Sequence, residues 1–236
     1  LEGEIDRIEG DERHLSFRRT ADLSGTELEE VLGRLESFEA GPEGALSAMV
    51  EDEPQASIRD AFGERAALLK RAAPCLVYTD DAGLVSVALR PPIEPESFST
   101  WDDRFTIDRK WFRPTGRFAF ALVRADLFAI GEYRGDEQVS FTGFESEVHG
   151  EHSKGGFSQA RFERRRDEQI ENHLQQCRTA ISNRDANRLY VVGDRDAVDE
   201  FETEASATAT VDATGDPEAA LADAFDSFFT TRLYCI

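Results

Sequence analysis

The sequence has little lysine, few cysteines and no long apolar run. Only three of its 27 basic residues are lysines, and the others are arginines. Cys75, Cys177 and Cys235 are odd in number and form no CxxC pair, which excludes a disulfide framework and favours a reducing compartment. No apolar run approaches the roughly 20 residues that span a bilayer, so no membrane partner is expected. The first residues carry no secretory signal, and the predicted location is the cytoplasm.

The chain is strongly acidic, with a formal net charge of −21. Many acids, scarce lysine and many small residues give a composition that resembles haloarchaeal proteins, which function in molar salt. At that ionic strength the Debye length falls to ~3 Å, so self-repulsion is tolerable. The alternative is an ordinary acidic protein. In molar salt the acidic total does not exclude a nucleic-acid partner, and local basic patches become the relevant signal.

Residues 1–74 are predicted to form an N-terminal helical segment. Apolar stripes predict one helix over 22–38 and a second over 55–72, which ends before Pro74. Leu1, Ile5 and Ile8 are spaced four and three apart, which predicts a coiled-coil remnant at the start.

Residues 75–236 are predicted to form an α/β domain in which a mixed β-sheet is flanked by helices. Apolar runs rich in β-branched and aromatic residues alternate with turn residues and with helical periodicity, which is typical of a layered α/β fold. The predicted strands are 75–78, 84–89, 117–124, 127–133, 139–144, 189–192 and 208–211, and the predicted helices are 158–182, 195–203 and 217–233.

Two glycines and a glutamine stand just before the longest predicted helix. Gly155 and Gly156 permit positive φ and let a backbone approach a partner closely, although a glycine pair alone is also common in ordinary loops. Ser158 is a predicted N-cap, which places Gln159 at the first helical position. A glutamine there lies beside the unpaired backbone N–H groups that favour anions.

The charge around this motif is opposite to that of the chain. Residues 154–166 contain five cations and one anion, a local charge of +4 within a −21 chain. One interpretation is a helix face on which the arginines pair with Asp167, Glu168 and Glu171. The other is contact with a nucleic-acid backbone through arginine forks. The cations are Lys154, Arg161, Arg164, Arg165 and Arg166.

The whole segment 148–164 resembles the catalytic loop of archaeal and eukaryotic class I peptide chain release factors. That loop contains a glycine, a basic or histidine-containing stretch, Gly-Gly-Gln, and a helix that opens with Arg-Phe and further arginines. Here Phe157 and Ser158 separate the glycines from the glutamine, a departure that resembles the Vms-like release-factor family of ribosome-associated quality control. The segment reads Val148-His149-Gly150-Glu151-His152-Ser153-Lys154-Gly155-Gly156-Phe157-Ser158-Gln159-Ala160-Arg161-Phe162-Glu163-Arg164.

The resemblance implies a fold like the central domain of those factors over residues 75–236, and codon-independent release of nascent peptide on stalled ribosomes. No codon-recognition domain or Asn-Ile-Lys-Ser signature is apparent. The implied partners are the large ribosomal subunit and peptidyl-tRNA, and no DNA partner or cofactor is expected. The bond cleaved, a tRNA phosphodiester or the peptidyl ester, stays open. The implied catalytic residues are Gln159, Gly155 and Gly156, and the implied RNA-binding residues are His152, Lys154, Ser158, Arg161, Arg164, Arg165 and Arg166.

Four other interpretations are weighed against this one. His149, His152, His173 and Cys177 are a conceivable metal set, but Cys177 lies on the buried stripe of the predicted helix, and no metal is predicted. The aromatic segment 101–112 can stack on RNA bases or pack against a sheet, and packing is the preferred interpretation. A non-catalytic ribosome- or RNA-binding adaptor and a tRNA nuclease acting off the ribosome are the alternative functions.

Overall fold

The computed structural model describes residues 15–113, 115–146, 159–184 and 186–236, and for residues 159–163 the backbone alone. The chain divides into two compact units. Unit 1 comprises residues up to Leu23, Leu28–Ile107 and Arg232–Ile236, and unit 2 comprises Ser24–Glu27 and Asp108–Thr231. Within the described ranges, no helix is long and apolar enough to cross a membrane.

Unit 1 is built on a six-stranded sheet. The strand order is β1-β11-β4-β3-β2-β5, in which β2 pairs antiparallel with both β3 and β5. A core of apolar side chains from α2, α3, β2 and β3 fills one side of the sheet. The elements are β1 (Arg19–Leu23), α1 (Gly25–Glu36), β2 (Ala45–Val50), α2 (Ala56–Phe62), α3 (Ala66–Ala72), β3 (Cys75–Asp80), β4 (Ser86–Arg90), β5 (Ser99–Asp102) and β11 (Thr231–Cys235).

Unit 2 is built on a five-stranded mixed sheet. The strand order is β10-β9-β6-β7-β8, with β9 parallel to β6 and β10, and β7 antiparallel to β6 and β8. Because of these directions, β6, β8, β9 and β10 all end at the same edge of the sheet. The elements are β6 (Arg117–Val123), β7 (Leu127–Arg134), β8 (Glu137–Glu145), α4 (Gln159–Ser182), β9 (Leu189–Gly193), α5 (Arg195–Asp199), β10 (Ala207–Thr210) and α6 (Pro217–Phe228).

The two faces of this sheet have cores of different composition. On one face α4 and α5 pack against β6, β7 and β9 through small and aliphatic side chains such as Ala119, Ala121 and Val191. On the other face α6 supplies Phe225 and Phe228, which contact aromatic rings of the sheet. These faces correspond to the alternation of side chains along a strand. The aromatic partners in the sheet are Phe118, Phe120, Tyr133 and Tyr190.

The predicted class, a mixed β-sheet flanked by helices, is confirmed. The hairpin of β3 and β4, the strands β6 to β10 and the helices α1, α4, α5 and α6 all overlap the segments predicted for them. The helix predicted over 55–72 is present as α2 and α3, with one 3-10 turn between them. It is interrupted at Gly63, whose φ of +55° does not belong to an α-helix.

Four strands differ from the prediction. β1 and β2 lie inside residues 1–74, which therefore contain strands as well as helices, and β5 was not predicted. The helix predicted over 217–233 ends at Phe228, and β11 follows because its backbone pairs with β4. The two compact units also divide the chain elsewhere than at the predicted boundary between residues 74 and 75, since β3 and β4 belong to unit 1.

Candidate functional site

The structure describes only part of the predicted site. Gln159 is the first described residue of α4, within the helix predicted over 158–182, and the helix also contains Arg161. Arg164, Arg165 and Arg166 are exposed on the same helix. The other predicted site residues, His152, Lys154, Gly155, Gly156 and Ser158, lie outside the described residues, as does the N-terminal stretch with the predicted coiled-coil remnant.

The C-terminal half of α4 is anchored on the sheet of unit 2. Cys177 is fully buried and Ile181 is 9% exposed, and both belong to the core between α4 and the sheet. Leu174 packs against the same core. His173, which is 1% exposed, is the first buried side chain of the described part of the helix. These positions follow the helical spacing of three and four residues, which explains why one face of α4 is apolar.

The N-terminal half of α4 extends past this anchor. Among the described side chains at 164–172, none is buried. His173 contacts Ser146, which follows the end of β8, so the helix leaves the sheet at this point. Gln159 lies fourteen residues before His173 on the helix, and a rise of 1.5 Å per residue places it about 21 Å farther along the axis. The helix therefore carries its first residue well beyond the sheet edge.

The extended half carries the basic cluster Arg164–Arg166. All three side chains are exposed, and Asp167 and Glu168 follow them on the helix. Arg164 and Arg165 make no ion pair with another described residue, so the paired-face interpretation is not supported for these two. Planar guanidinium groups in this arrangement suit phosphate oxygens, which they can bind through two parallel hydrogen bonds.

A buried histidine and a serine join α4 to the end of β8. His173 Nδ1 lies 2.6 Å from Ser146 Oγ, within hydrogen-bond distance. The Ser146 backbone N–H also donates to the carbonyl oxygen of Asp126, at 2.7 Å. Burial lowers the pKa of His173, while the neighbouring backbone of Leu127 and Arg124 and the Asp126 carboxylate act in the opposite direction. The imidazole is therefore biased toward the neutral form, in which one ring nitrogen donates and the other accepts.

The conceivable metal set is described only in part. His149 and His152 lie outside the described residues, whereas His173 and Cys177 lie four residues apart on α4. Burial raises the pKa of Cys177 to about 12. Cys177 lies in the apolar core between α4 and the sheet of unit 2.

Thiol labelling checks the burial of these cysteines. Cys177 and Cys75 are buried, and burial raises the pKa of each to about 12, whereas Cys235 is partly exposed. At pH 8 we expect a water-soluble thiol reagent to label Cys235 in the native protein, and Cys75 and Cys177 only after denaturant is added. Mass spectrometry of digested samples identifies the labelled residues. Fast labelling of Cys177 in the native protein would contradict the anchoring of α4 described above.

The aromatic segment packs inside the protein, as preferred from the sequence. In unit 1, Phe105 lies between Phe38 and Tyr78, with ring centroids 5.1 Å and 5.5 Å away. Trp101 packs against the core of that unit. In unit 2, Phe112 is 1% exposed. Phe105 and Phe112 are therefore core residues and not stacking platforms for RNA bases.

The pairing of Ser146 with His173 is the feature of the site that the sequence did not predict. The two residues are 27 positions apart. His173 was considered only as a metal ligand, since its spacing to Cys177 suggests one. Its place on the apolar stripe, four residues before Cys177, is the signal that could have identified a buried histidine in need of a polar partner.

Comparison with known proteins gives one family and several structures. The family described as Actinobacteria/chloroflexi VLRF1 release factor matches residues 116–234. The crystal structure of the archaeal translation termination factor aRF1 is similar with a TM-score of 0.36 and 14% identity, over 86% of this chain and 69% of that chain. Pelota of Archaeoglobus fulgidus is similar with a TM-score of 0.31 and 11% identity, over 89% of this chain and 63% of that chain. No curated protein sequence matches.

Proposed function

This chain belongs to the VLRF1 release-factor family, and we propose on that premise that it frees nascent peptide from peptidyl-tRNA on stalled ribosomes without reading a codon. The family match over residues 116–234 includes the entire motif and all of α4. The family predicted from the motif is thereby confirmed, and the reaction is our proposal. The two residues between Gly156 and Gln159 favour rescue of stalled chains over stop-codon termination, because they depart from the Gly-Gly-Gln pattern.

The observation that carries the proposal is the placement of Gln159 at the start of a projecting helix. The sheet edge anchors α4 at His173, and the exposed half extends about 21 Å beyond it. The peptidyl ester lies deep inside ribosomal RNA, so a catalytic group must be carried away from the bulk of its own protein. A narrow helix with arginines behind its tip is suited to that task, since it inserts a small cross-section and binds phosphates on the way.

We assign roles to the predicted residues on this basis. Gly155 and Gly156 allow the backbone to approach the tRNA end closely. The Gln159 amide orients the attacking group, and it does so without the charge that would repel phosphates if a carboxylate stood there. The proposed RNA contacts are His152, Lys154, Ser158, Arg161, Arg164, Arg165 and Arg166.

Two bonds are candidates for cleavage, and they require different nucleophiles. Hydrolysis of the peptidyl ester needs an oriented water and leaves the terminal adenosine on the tRNA. Cleavage of a phosphodiester near the tRNA 3′ end uses a neighbouring 2′-hydroxyl or water and removes nucleotides together with the peptide. A neutral amide can orient either nucleophile, so Gln159 serves in both versions of the proposal.

The test is incubation of the protein with purified stalled ribosome complexes that carry labelled peptidyl-tRNA. A denaturing gel resolves peptidyl-tRNA, free peptide and shortened tRNA, and sequencing of the tRNA 3′ end identifies the bond. We expect loss of peptidyl-tRNA only when ribosomes are present. Unchanged peptidyl-tRNA on the ribosome would refute the proposed activity, and equal cleavage of free peptidyl-tRNA would favour a nuclease acting off the ribosome.

A non-catalytic adaptor is the second candidate, because the exposed arginines of α4 can bind RNA whatever Gln159 does. Arg164→Gln combined with Arg165→Gln is expected to weaken ribosome binding roughly 10-fold at moderate salt and to reduce the salt dependence by about two phosphate contacts. Co-sedimentation over a series of salt concentrations measures both effects. The control Arg134→Gln with Arg195→Gln makes the same charge change at exposed sites outside α4. Equal loss of binding in both double variants would mean that total charge, not the α4 cluster, determines binding.

A further inference from the structure

We propose that the hydrogen bond between Ser146 and His173 positions the projecting half of α4, so that both side chains act as positioning residues for the reaction at Gln159. This inference rests on the proposed function for its link to activity. The anchoring itself is a property of unit 2 and can be measured without any substrate.

The bond lies where α4 leaves the sheet. Ser146 Oγ and His173 Nδ1 are 2.6 Å apart, and His173 is 1% exposed. The His173 ring meets Phe144 edge-on, with centroids 5.4 Å apart, and the Ser146 backbone is held by the carbonyl oxygen of Asp126. The bond thus joins the end of the strand pair β7–β8 to α4.

His173 is held in place by a hydrogen bond as well as by packing. Its Nε2 atom is buried and has no hydrogen-bond partner among the described residues. A buried imidazole with one unpaired nitrogen is costly, and the hydrogen bond to Ser146 offsets part of that cost. An apolar residue would fill this position at lower cost if packing were its only role.

A directional bond at this point controls the direction of the helix tip. The buried contacts of α4 at Cys177 and Ile181 are apolar, and the polar contact of Arg178 with Glu200 lies farther from the tip than His173. The tip at Gln159 lies about 21 Å from His173, so a tilt of about 5° moves it by about 2 Å. Misplacement by 1 Å can lower a rate by about 100-fold, and a small loosening at the sheet edge is therefore large at the reaction site.

The far end of α4 has a polar tie of its own, which provides a matched control. Arg184 donates to the hydroxyl groups of Ser140 and Thr142 on β8. Ser140→Ala and Ser146→Ala each remove one serine hydroxyl from the same side of unit 2, at positions six residues apart. Only Ser146→Ala removes it where the projecting half begins. Ser146→Thr keeps a hydroxyl at that position.

The experiment compares wild type, Ser146→Ala, Ser146→Thr and Ser140→Ala. Hydrogen exchange of the amides at 164–172 measures the order of the projecting half, and release kinetics on stalled complexes give turnover and half-saturation separately. We expect Ser146→Ala to speed exchange at 164–172 about 10-fold and to lower turnover roughly 10- to 100-fold with half-saturation nearly unchanged. We expect Ser146→Thr to restore both the exchange rate and the turnover, and Ser140→Ala to leave both close to wild type.

Each outcome decides a separate point. Unchanged exchange at 164–172 in Ser146→Ala overturns the anchoring. Faster exchange with wild-type turnover overturns the positioning role, as does a turnover loss that Ser146→Thr does not restore. If wild type itself releases no peptide, the proposed function fails, and the exchange data still decide whether the bond orders the helix.

Discussion

Gln159→Ala is expected to lower peptide release from stalled complexes by about 100- to 1,000-fold while leaving the fold and ribosome binding intact. Removing one preorganised polar group that orients or stabilises the reacting atoms typically costs that factor. The fold should survive because position 159 is the first residue of α4 and alanine favours helix. Single-turnover release on saturating complexes measures the chemical step, and co-sedimentation measures binding in the same samples.

Two further variants make the Gln159 result specific. Gln169→Ala makes the same substitution ten residues along α4, on a side chain that is partly exposed, and should release peptide at the wild-type rate. Gln159→Glu keeps the size of the side chain but adds a negative charge among phosphates, and should be as inactive as alanine. Equal release by Gln159→Ala and wild type would refute the catalytic role and leave the adaptor as the better function.

The motif could be predicted from the sequence because its chemistry is local. Glycines, a predicted N-cap, a glutamine and a run of arginines are neighbours in the sequence, and α4 contains Gln159 where this pattern predicts a helix. The anchoring of that helix could not be predicted in the same way. Ser146 and His173 meet only after β8 and α4 pack together, and no rule of spacing along the chain reports a contact made by folding.

The strands that were not predicted also depend on contacts between segments that are distant in sequence. β1 reads Arg-Thr-Ala-Asp-Leu and β5 reads Ser-Thr-Trp-Asp, and neither shows an apolar alternation. Both are edge strands, held by backbone pairing with a strand distant in sequence. β11 was predicted as the end of a helix because apolar residues at helical spacing continue from α6 through Phe229 to Leu233, and only the pairing of Leu233 with Leu89 separates the two elements. The hairpin of β3 and β4 could be predicted because its two strands are adjacent in the sequence.

Gly193→Ala is expected to destabilise unit 2 by about 3–5 kcal/mol. Gly193 ends β9, between β6 and β10, with a φ of +141° that side chains rarely adopt. A Cβ at this position would lie 1.9 Å from the carbonyl oxygen of Val123, and that oxygen accepts the backbone N–H of Asp194. The obstacle is backbone at the end of the central strand β6, so β6 and β9 must separate to admit even one methyl group.

Gly215→Ala separates the clash from the backbone strain. Gly215 also has a positive φ, +119°, but among the described residues a Cβ there would meet only Ala219, at 3.9 Å. Gly215→Ala should therefore lower the free energy of unfolding by about 1–2 kcal/mol, which is the cost of the backbone conformation alone. Urea unfolding followed by circular dichroism measures both losses, and exchange of the β6 and β9 amides assigns the Gly193 effect to this sheet. Similar losses in the two variants would mean that β6 and β9 can part at little cost. In that case the sheet edge at which β8 also ends would be too flexible to fix the position of the α4 tip, which lies about 21 Å away.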